Sequence, residues 1–100
     1  MHNFRKLDIW IDSMQLAQQI YEITENLPKK ETYGLVSQMN RAAVSVPSNI
    51  AEGSGKVSNK DFARFLSISL GSLFELETQV ILAERIKYIN NEQSIAKPNY

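Results

Sequence analysis

The sequence predicts an all-α protein, an antiparallel up-down helical bundle, because its apolar residues repeat at spacings of three and four. The repeats fill three long segments, and the short runs between them contain proline or glycine. The chain has 100 residues, of which 43% are apolar, and this suits one small domain with a single core over residues 1–100. We expect helices at about residues 7–26, 32–51 and 58–89, followed by a C-terminal stub at 90–100.

The first predicted helix carries two apolar stripes. One consists of Leu7, Trp10, Met14, Ala17, Tyr21 and Thr24. The other lies about one residue out of phase and consists of Ile9, Ser13, Leu16, Ile20, Ile23 and Leu27. A single core-facing seam needs a narrower apolar face than these two stripes make together. We therefore expect one stripe to face the core and the other to face a neighbouring chain. Pro28 then ends the helix, because it disfavours helical geometry at the residue before it.

The second predicted helix contains the most informative segment of the chain, RAAVSVPSNIAEG. Pro47 within it cannot donate a backbone hydrogen bond and crowds the preceding turn, so we expect the helix to bend there. Small residues around Pro47 would let another backbone approach closely, while Ser48, Asn49 and Glu52 add polar groups. Gly53 tolerates the left-handed conformation that closes many helices, and we expect it just past the end of this one.

The third predicted helix begins at Ser58, which resembles a capping residue because Asp61 follows three positions later. Its apolar stripe holds heptad spacing through Phe62, Leu66, Ser69, Leu73, Leu76, Val80 and Ala83. Gly71 costs about 1 kcal/mol in a helix relative to alanine. We expect that cost to be offset by close packing of a small-residue patch against the bent segment of the second helix. Glu75 is expected to hydrogen-bond Ser48, Asn49 or a backbone group freed by Pro47.

Two long motifs, YGLVSQMNRAAVSVPSNIAEG and FARFLSISLGSLFELETQ, resemble a bacterial four-helix-bundle family. The family is named for proteins encoded by intervening sequences in 23S ribosomal RNA genes. The resemblance covers roughly residues 7–89, and the fold it implies transfers more safely than the function. It implies an antiparallel helical bundle that assembles into a ring, with a pentamer favoured. It also implies kinship with nucleic-acid-binding accessory proteins of diversity-generating retroelements.

The chain departs from this family at its C-terminus. A fourth helix would be expected after Tyr88, but only the tail NNEQSIAKPNY follows Ile89, so that helix is short or missing in this chain. The C-terminus is then truncated, naturally short or complemented by a neighbouring subunit, and each alternative predicts a different assembly. An exposed apolar groove on three helices favours a homo-oligomer over a free monomer.

Candidate catalytic and metal-binding residues are sparse. The chain has no cysteine and one histidine, His2, which lies beside the initiator methionine. Glu75 and Glu77 point to nearly opposite faces of one helix and cannot chelate one ion together. We therefore expect a protein that is not an enzyme and has no metal, cofactor or small-molecule substrate. No uninterrupted run of eighteen apolar residues occurs, so we expect a cytoplasmic location and no membrane association.

One cluster of basic residues suggests a binding function. Lys56, Lys60 and Arg64 recur every four residues and form a short basic ridge, to which Arg41 on the second helix would add if it packs alongside. The formal net charge is zero, so RNA or DNA binding must come from such a local patch. The first hypothesis is a homo-oligomeric scaffold that binds nucleic acid or a nucleic-acid enzyme through the ridge. The alternative is a protein-interaction or assembly module, in which the ridge is an ordinary solvated face.

Overall fold

Three long helices make up the computed structural model, which describes residues 1–90. They are α1 (Asp8–Thr24), α2 (Leu35–Ser54) and α3 (Asn59–Arg85). Residues 1–90 contain no strand, so the all-α prediction is confirmed. The predicted C-terminal stub, apart from Asn90, lies outside the described residues.

The helix α2 is the central element, because α1 and α3 both pack against it. Ile20 of α1, Met39 of α2 and Leu76 of α3 are the largest apolar side chains that are almost fully buried. Burying a side chain of this size stabilises the fold by about 1.5–3 kcal/mol relative to leaving it exposed. Small residues of α2 and α3, among them Ala43 and Ala83, bring the helices close around these three.

Successive helices run in opposite directions. Near one end of the molecule, Thr24 Oγ1 of α1 donates a hydrogen bond to Asn40 Oδ1 of α2 at 2.9 Å. At the other end, the backbone N–H of His2 donates to the carbonyl of Ser54 at 2.8 Å. Between α2 and α3, the hydroxyls of Ser45 and Ser72 lie 2.8 Å apart, whereas Gly53 near the end of α2 lies against Phe65 near the start of α3. Residue numbers therefore rise along one helix as they fall along its neighbour.

The connection from α1 to α2 explains why α2 begins at Leu35 and not at the predicted residue 32. Pro28 starts a 3-10 turn over Lys29–Glu31, in which the N–H of Glu31 donates to the carbonyl of Pro28 at 2.9 Å. Gly34 then adopts non-helical backbone angles. The side chain of Glu31 accepts a hydrogen bond from the N–H of Leu35 at 3.2 Å, so a residue outside α2 caps its first turn.

Helix α2 continues through Pro47 without a break and includes Gly53, which corrects the prediction that Gly53 lies past its end. None of the described glycines has a positive φ, so Gly53 does not serve as a left-handed cap. It is instead a point of close approach. A Cβ placed on Gly53 would lie 2.7 Å from Cβ of Phe65 and 3.0 Å from a ring carbon of Phe62 on α3. Glycine is needed because any side chain would collide with α3.

The small-residue patch predicted around Gly71 is partly wrong. Ser69 and Ser72 do face α2, and Ser69 Oγ donates to the carbonyl of Val46 at 2.8 Å in a buried position. Gly71 is exposed, and a Cβ placed on it would meet nothing within 4 Å. The helical phase explains the difference, since a residue two positions from Ser69 points away from the face that Ser69 shares with Ser72.

Helix α3 begins as predicted, because Ser58 Oγ accepts the N–H of Asp61 at 3.1 Å. It ends at Arg85 and not at the predicted residue 89, since Lys87 adopts a left-handed φ of 66°. The N–H of Tyr88 donates back to the carbonyl of Ala83 at 2.9 Å, which closes the helix in a Schellman-type motif. This reversal brings Ile89 into the core, where its exposed fraction is 3%.

The second stripe of α1 supplies most of the buried apolar side chains of this helix, as expected for a stripe that faces the core. From the second stripe, Ile20 and Ile23 are buried, while Ile9 remains 49% exposed. From the first stripe, Ala17 is buried, but Met14 and Tyr21 are 45% and 46% exposed. The side of α1 that carries Met14 and Tyr21 therefore keeps apolar surface in contact with solvent.

Candidate nucleic-acid interface

The predicted basic ridge lies where α2 passes into α3. Lys56 belongs to the connection between the two helices, and Lys60 occupies the first turn of α3, which Ser58 caps. Arg64 follows one turn later on α3, and both Lys60 and Arg64 are exposed. The structure therefore brings three of the four predicted basic residues to one end of the molecule.

Two of these cations lie close to the aromatic ring of Phe65. The Nζ atom of Lys56 lies 5.1 Å from the centroid of the Phe65 ring, and Cζ of Arg64 lies 4.6 Å from the same centroid. Both distances fall within the range of cation–π attraction, which is worth about 0.5–1 kcal/mol at exposed sites. The Cβ atom of Phe65 lies close to Gly53, so this residue packs directly against α2. Two positive charges therefore lie near one aromatic ring.

The positive charge of the ridge is partly neutralised. Nε of Arg64 lies 4.0 Å from Oδ1 of Asp61, and both side chains are more than half exposed. An exposed pair of this kind contributes about 0–1 kcal/mol and weakens further with salt. Glu52 also lies nearby in sequence and is exposed. From Glu52 to Arg64 the chain has three basic and two acidic residues, so the ridge has only a small net positive charge.

Arg41 does not join the ridge. Arg41 lies one turn before Ser45 on α2, and Ser45 contacts Ser72 on α3. Because the two helices run antiparallel, Arg41 lies beside the turn of α3 that follows Ser72. Arg64 lies two turns before Ser72, and the two arginines are therefore separated by about 18 Å along the helix axis. The prediction that Arg41 adds to the ridge is wrong, because the antiparallel register moves it to the middle of the molecule.

The sequence analysis missed Arg5, which lies at the same end as the ridge. The guanidinium carbon of Arg5 lies 4.4 Å from the centroid of the Phe4 ring, and this ring contacts Trp10 edge to face at 5.2 Å. Arg5 also lines an open hollow of about 510 Å³ together with Ser54 and Gly55, the residues that precede Lys56. The adjacent aromatic and basic residues at Phe4 and Arg5 are the signal that would have suggested this position.

The polar residues around Pro47 form a network that differs from the predicted one. Asn49 Nδ2 donates to the carbonyl of Ser45 at 2.8 Å and lies 2.9 Å from its hydroxyl, which in turn contacts Ser72. Glu75 is exposed and accepts a hydrogen bond from Gln79 Nε2 at 3.2 Å. The predicted bond of Glu75 to Ser48 or Asn49 is therefore wrong, and Ser48 is exposed. This network joins α2 to α3 and has the character of a structural contact.

Residues 1–90 contain no group of three or more His, Asp or Glu side chains placed to hold a metal ion. A shifted pKa is found at the opposite end of the molecule from the ridge. The hydroxyl of Tyr88 donates to Glu31 Oε2 at 2.8 Å and holds the pKa of Glu31 below its usual value, with the N–H of Leu35 adding to the effect. This carboxylate accepts hydrogen bonds from Tyr88 and from the N–H of Leu35, so it stabilises the contact between the end of α3 and the start of α2.

Among the described helices, α3 is long and apolar enough, by length and composition, to cross a membrane. The core helix of a soluble protein passes the same test, so one such helix is weak support for a membrane span. Only 28% of the most apolar window of α3 is buried in the chain. Much of its apolar surface is therefore available to another partner. The absence of a membrane partner stays a prediction.

Comparison with known proteins agrees with the resemblance on which the fold was predicted. No curated protein matches the chain significantly. The family described as 23S rRNA-intervening sequence protein matches residues 5–97, which include all three helices, the Pro47 segment and the basic ridge. The chain therefore belongs to the 23S rRNA-intervening sequence protein family.

Proposed function

We propose that the chain is a non-enzymatic, homo-oligomeric helical scaffold of the cytoplasm. The observation that carries this proposal is the apolar surface left on one flank of α3. Ile68, Leu82 and Ile86 are 43%, 49% and 46% exposed, and their spacing aligns them along that flank. Ile68 lies about four turns before Leu82, with the exposed Glu75 between them on the same flank, so the apolar contact centres on Leu82 and Ile86. Exposed apolar side chains that adjoin in this way mark interaction sites in soluble proteins.

A second apolar surface supports assembly of identical copies. Met14 and Tyr21 of α1, together with Val44 of α2, are each about 45% exposed. Two unlike apolar surfaces on one chain allow head-to-tail contacts, in which one surface of each copy meets the other surface of the next. Such contacts close into a ring when the rotation allows, and the family resemblance favours a pentamer. A formal net charge of zero means that copies do not repel one another at long range.

Substitution within the α3 flank tests the scaffold proposal. We expect Leu82→Lys to dissociate the assembly, because it places a charge in a desolvated contact. Ser67→Lys is the matched control, since Ser67 is an exposed polar residue of the same helix. The masses of the parent and both variants are measured by light scattering after gel filtration. Assembly that survives Leu82→Lys as well as Ser67→Lys would contradict the proposal for this surface.

We further propose that the assembled scaffold binds RNA or DNA, or a nucleic-acid enzyme, through the basic ridge. The observation in favour is the convergence of Lys56 and Arg64 on the ring of Phe65, with Lys60 one turn from Arg64. In an oligomer each copy repeats this ridge, so weak contacts to phosphate add up to useful avidity. Contacts of this kind are indifferent to sequence and weaken with salt.

The ridge proposal is tested by binding of structured RNA and duplex DNA over a salt series. We expect Lys60→Gln with Arg64→Gln to weaken binding and to reduce the slope of log K against log salt by about 0.9 for each lost contact to duplex phosphate. Lys29→Gln with Lys30→Gln removes the same charge from the opposite end of the molecule and serves as the control. If the parent binds neither RNA nor DNA even at low ionic strength, the ridge proposal fails. Only protein partners then remain, and the chain acts as an assembly module.

A further inference from the structure

A hollow of about 510 Å³ opens between the N-terminal segment and the end of α2. Phe4 and Arg5 line it from the N-terminal segment, and Ser54 and Gly55 line it from the end of α2. The N–H of His2 donates to the carbonyl of Ser54 at 2.8 Å, which holds the segment against α2. Pockets of this size hold small organic groups, and a nucleobase is one of them.

Two pairs of planar side chains border the hollow. The guanidinium of Arg5 lies over the ring of Phe4, with Cζ 4.4 Å from the ring centroid. The Phe4 ring contacts Trp10 edge to face at 5.2 Å, which supports it from within the fold. His2 also lines the hollow, and its ring lies 5.1 Å from the ring of Phe62. Both Arg5 and His2 are exposed, and side chains of these types are the platforms on which unpaired bases stack.

The charges beside the hollow favour an anion, but only weakly. None of the residues that line it is acidic. Arg5 lines it, Lys6 follows in the same 3-10 turn, and Lys56 begins the connection after α2. Asp8 and Glu52 lie nearby in sequence, so the excess of positive charge is small. Attraction of phosphate alone is therefore weak here, and a ligand gains most when a planar group also stacks.

The hollow adjoins the basic ridge. Gly55 lines the hollow, and Lys56 of the ridge is the next residue. The ring of Phe62, which His2 contacts, lies near the start of α3. One turn later comes Phe65, whose ring has Lys56 beside it. The hollow and the ridge therefore form one continuous surface at the end of the molecule, with planar groups in the hollow and cations along the ridge.

We propose that the hollow takes one unpaired base of a single-stranded nucleic acid, whose neighbouring phosphates lie on the basic ridge. The base stacks on the guanidinium of Arg5, which Phe4 backs, and the phosphate beside it pairs with Lys56. A base within a duplex is already stacked and paired, so it enters such a hollow only after it is flipped out of the helix. The proposal rests on the nucleic-acid binding proposed for the ridge and narrows the ligand to single strands.

Three labelled probes of about 12 nucleotides test the proposal by fluorescence anisotropy with the full chain at low salt. They are a single strand of DNA, the same strand annealed to its complement, and a strand of abasic sites that keeps the phosphates. We expect the single strand to bind about tenfold more tightly than the other two, because only its bases stack. The fluorescence of Trp10, the single tryptophan, should change with the single strand alone, since Trp10 contacts the ring that backs Arg5.

Two variants remove the planar groups without removing charge from the ridge. Arg5→Lys keeps the positive charge and should weaken binding of the single strand about fivefold, while binding of the duplex stays unchanged. Arg41→Lys is its matched control, because it makes the same exchange at an exposed arginine in the middle of the molecule. His2→Ala removes a ring but keeps the backbone hydrogen bond to Ser54, and it should weaken single-strand binding roughly threefold. Tyr33→Ala removes an exposed ring at the opposite end and should have no effect.

Equal affinity for the three probes would overturn the hollow proposal and leave the ridge proposal standing, because charge alone would then explain the binding. Equal effects of Arg5→Lys and Arg41→Lys on the single strand would also overturn it. Displacement of the strand by an equal concentration of a free mononucleotide would assign the hollow to a small ligand instead. If the parent chain binds none of the probes, the ridge proposal and the hollow proposal fail together.

Discussion

At the scale of single residues, two glycines within helices have opposite roles. Gly53 lies against Phe65, where a Cβ would come within 2.7 Å of another carbon. Gly71 has open space around it. The sequence predicted close helix packing at Gly71, whereas the structure has it at Gly53. The choice depends on which face of α3 meets α2, and this rotation is fixed by the whole core, not by the residues next to the glycine.

Alanine substitutions distinguish the two glycines. We expect Gly71→Ala to raise the free energy of unfolding by about 1 kcal/mol, because it removes the helical cost of glycine without creating a contact. Gly53→Ala should lower it by about 1–3 kcal/mol, since the added methyl group forces α2 away from Phe65. Both values come from denaturant unfolding at the same low protein concentration. Similar losses from both variants would mean that another backbone also lies against Gly71.

At the scale of helices, the sequence predicted the number and order of the elements because the apolar spacing is regular over long segments. The ends were less predictable, since contacts from outside each helix decide them. Glu31 caps α2 from the preceding turn, which moves the helix start to Leu35. Lys87 takes a left-handed conformation that is unusual for lysine, and this ends α3 early so that Tyr88 reaches Glu31. Neither contact has a signal in local sequence, because Glu31 and Tyr88 are 57 residues apart.

The contact of Tyr88 with Glu31 makes stability depend on pH. The pKa of Glu31 is lowered in the folded chain, mainly by the Tyr88 hydroxyl, so the stabilising contribution is complete above the unfolded value of about 4.3. It is lost as pH falls through the lower folded value. We expect Tyr88→Phe to destabilise the chain at neutral pH and the difference from the parent to shrink below about pH 4.

Denaturant unfolding at neutral and acidic pH measures this difference. Tyr33→Phe serves as the control, because Tyr33 is 96% exposed, and its effect should be small at every pH. A loss from Tyr88→Phe that stays constant into the acidic range would show that the hydroxyl acts without the Glu31 charge.

At the scale of the whole molecule, the predicted site is only partly assembled by the fold. The spacing of four residues was enough to place Lys60 near Arg64, and the short connection after α2 brings in Lys56. Arg41 lies elsewhere and Arg5 joins the same end, because the antiparallel register and the docking of the N-terminus arise only when three helices pack together.

The molecule as a whole leaves a large part of its apolar surface exposed to solvent. The alternating stripes of α1 and the long apolar α3 exceed what one three-helix core can cover, so Met14, Tyr21, Ile68, Leu82 and Ile86 remain exposed. Transfer of such side chains from water into a contact is the main driving force for association. In the proposed scaffold, identical copies therefore cover these surfaces.

The mass of the parent chain in solution tests this claim most directly. Sedimentation equilibrium over a wide range of protein concentration should give a defined multiple of the 11.4 kDa chain mass, and the ring interpretation expects five copies. The assembly should persist on dilution, because burial of apolar surface holds it together. A stable species of one chain mass at every concentration would show that the chain does not assemble and that its apolar surfaces stay in water.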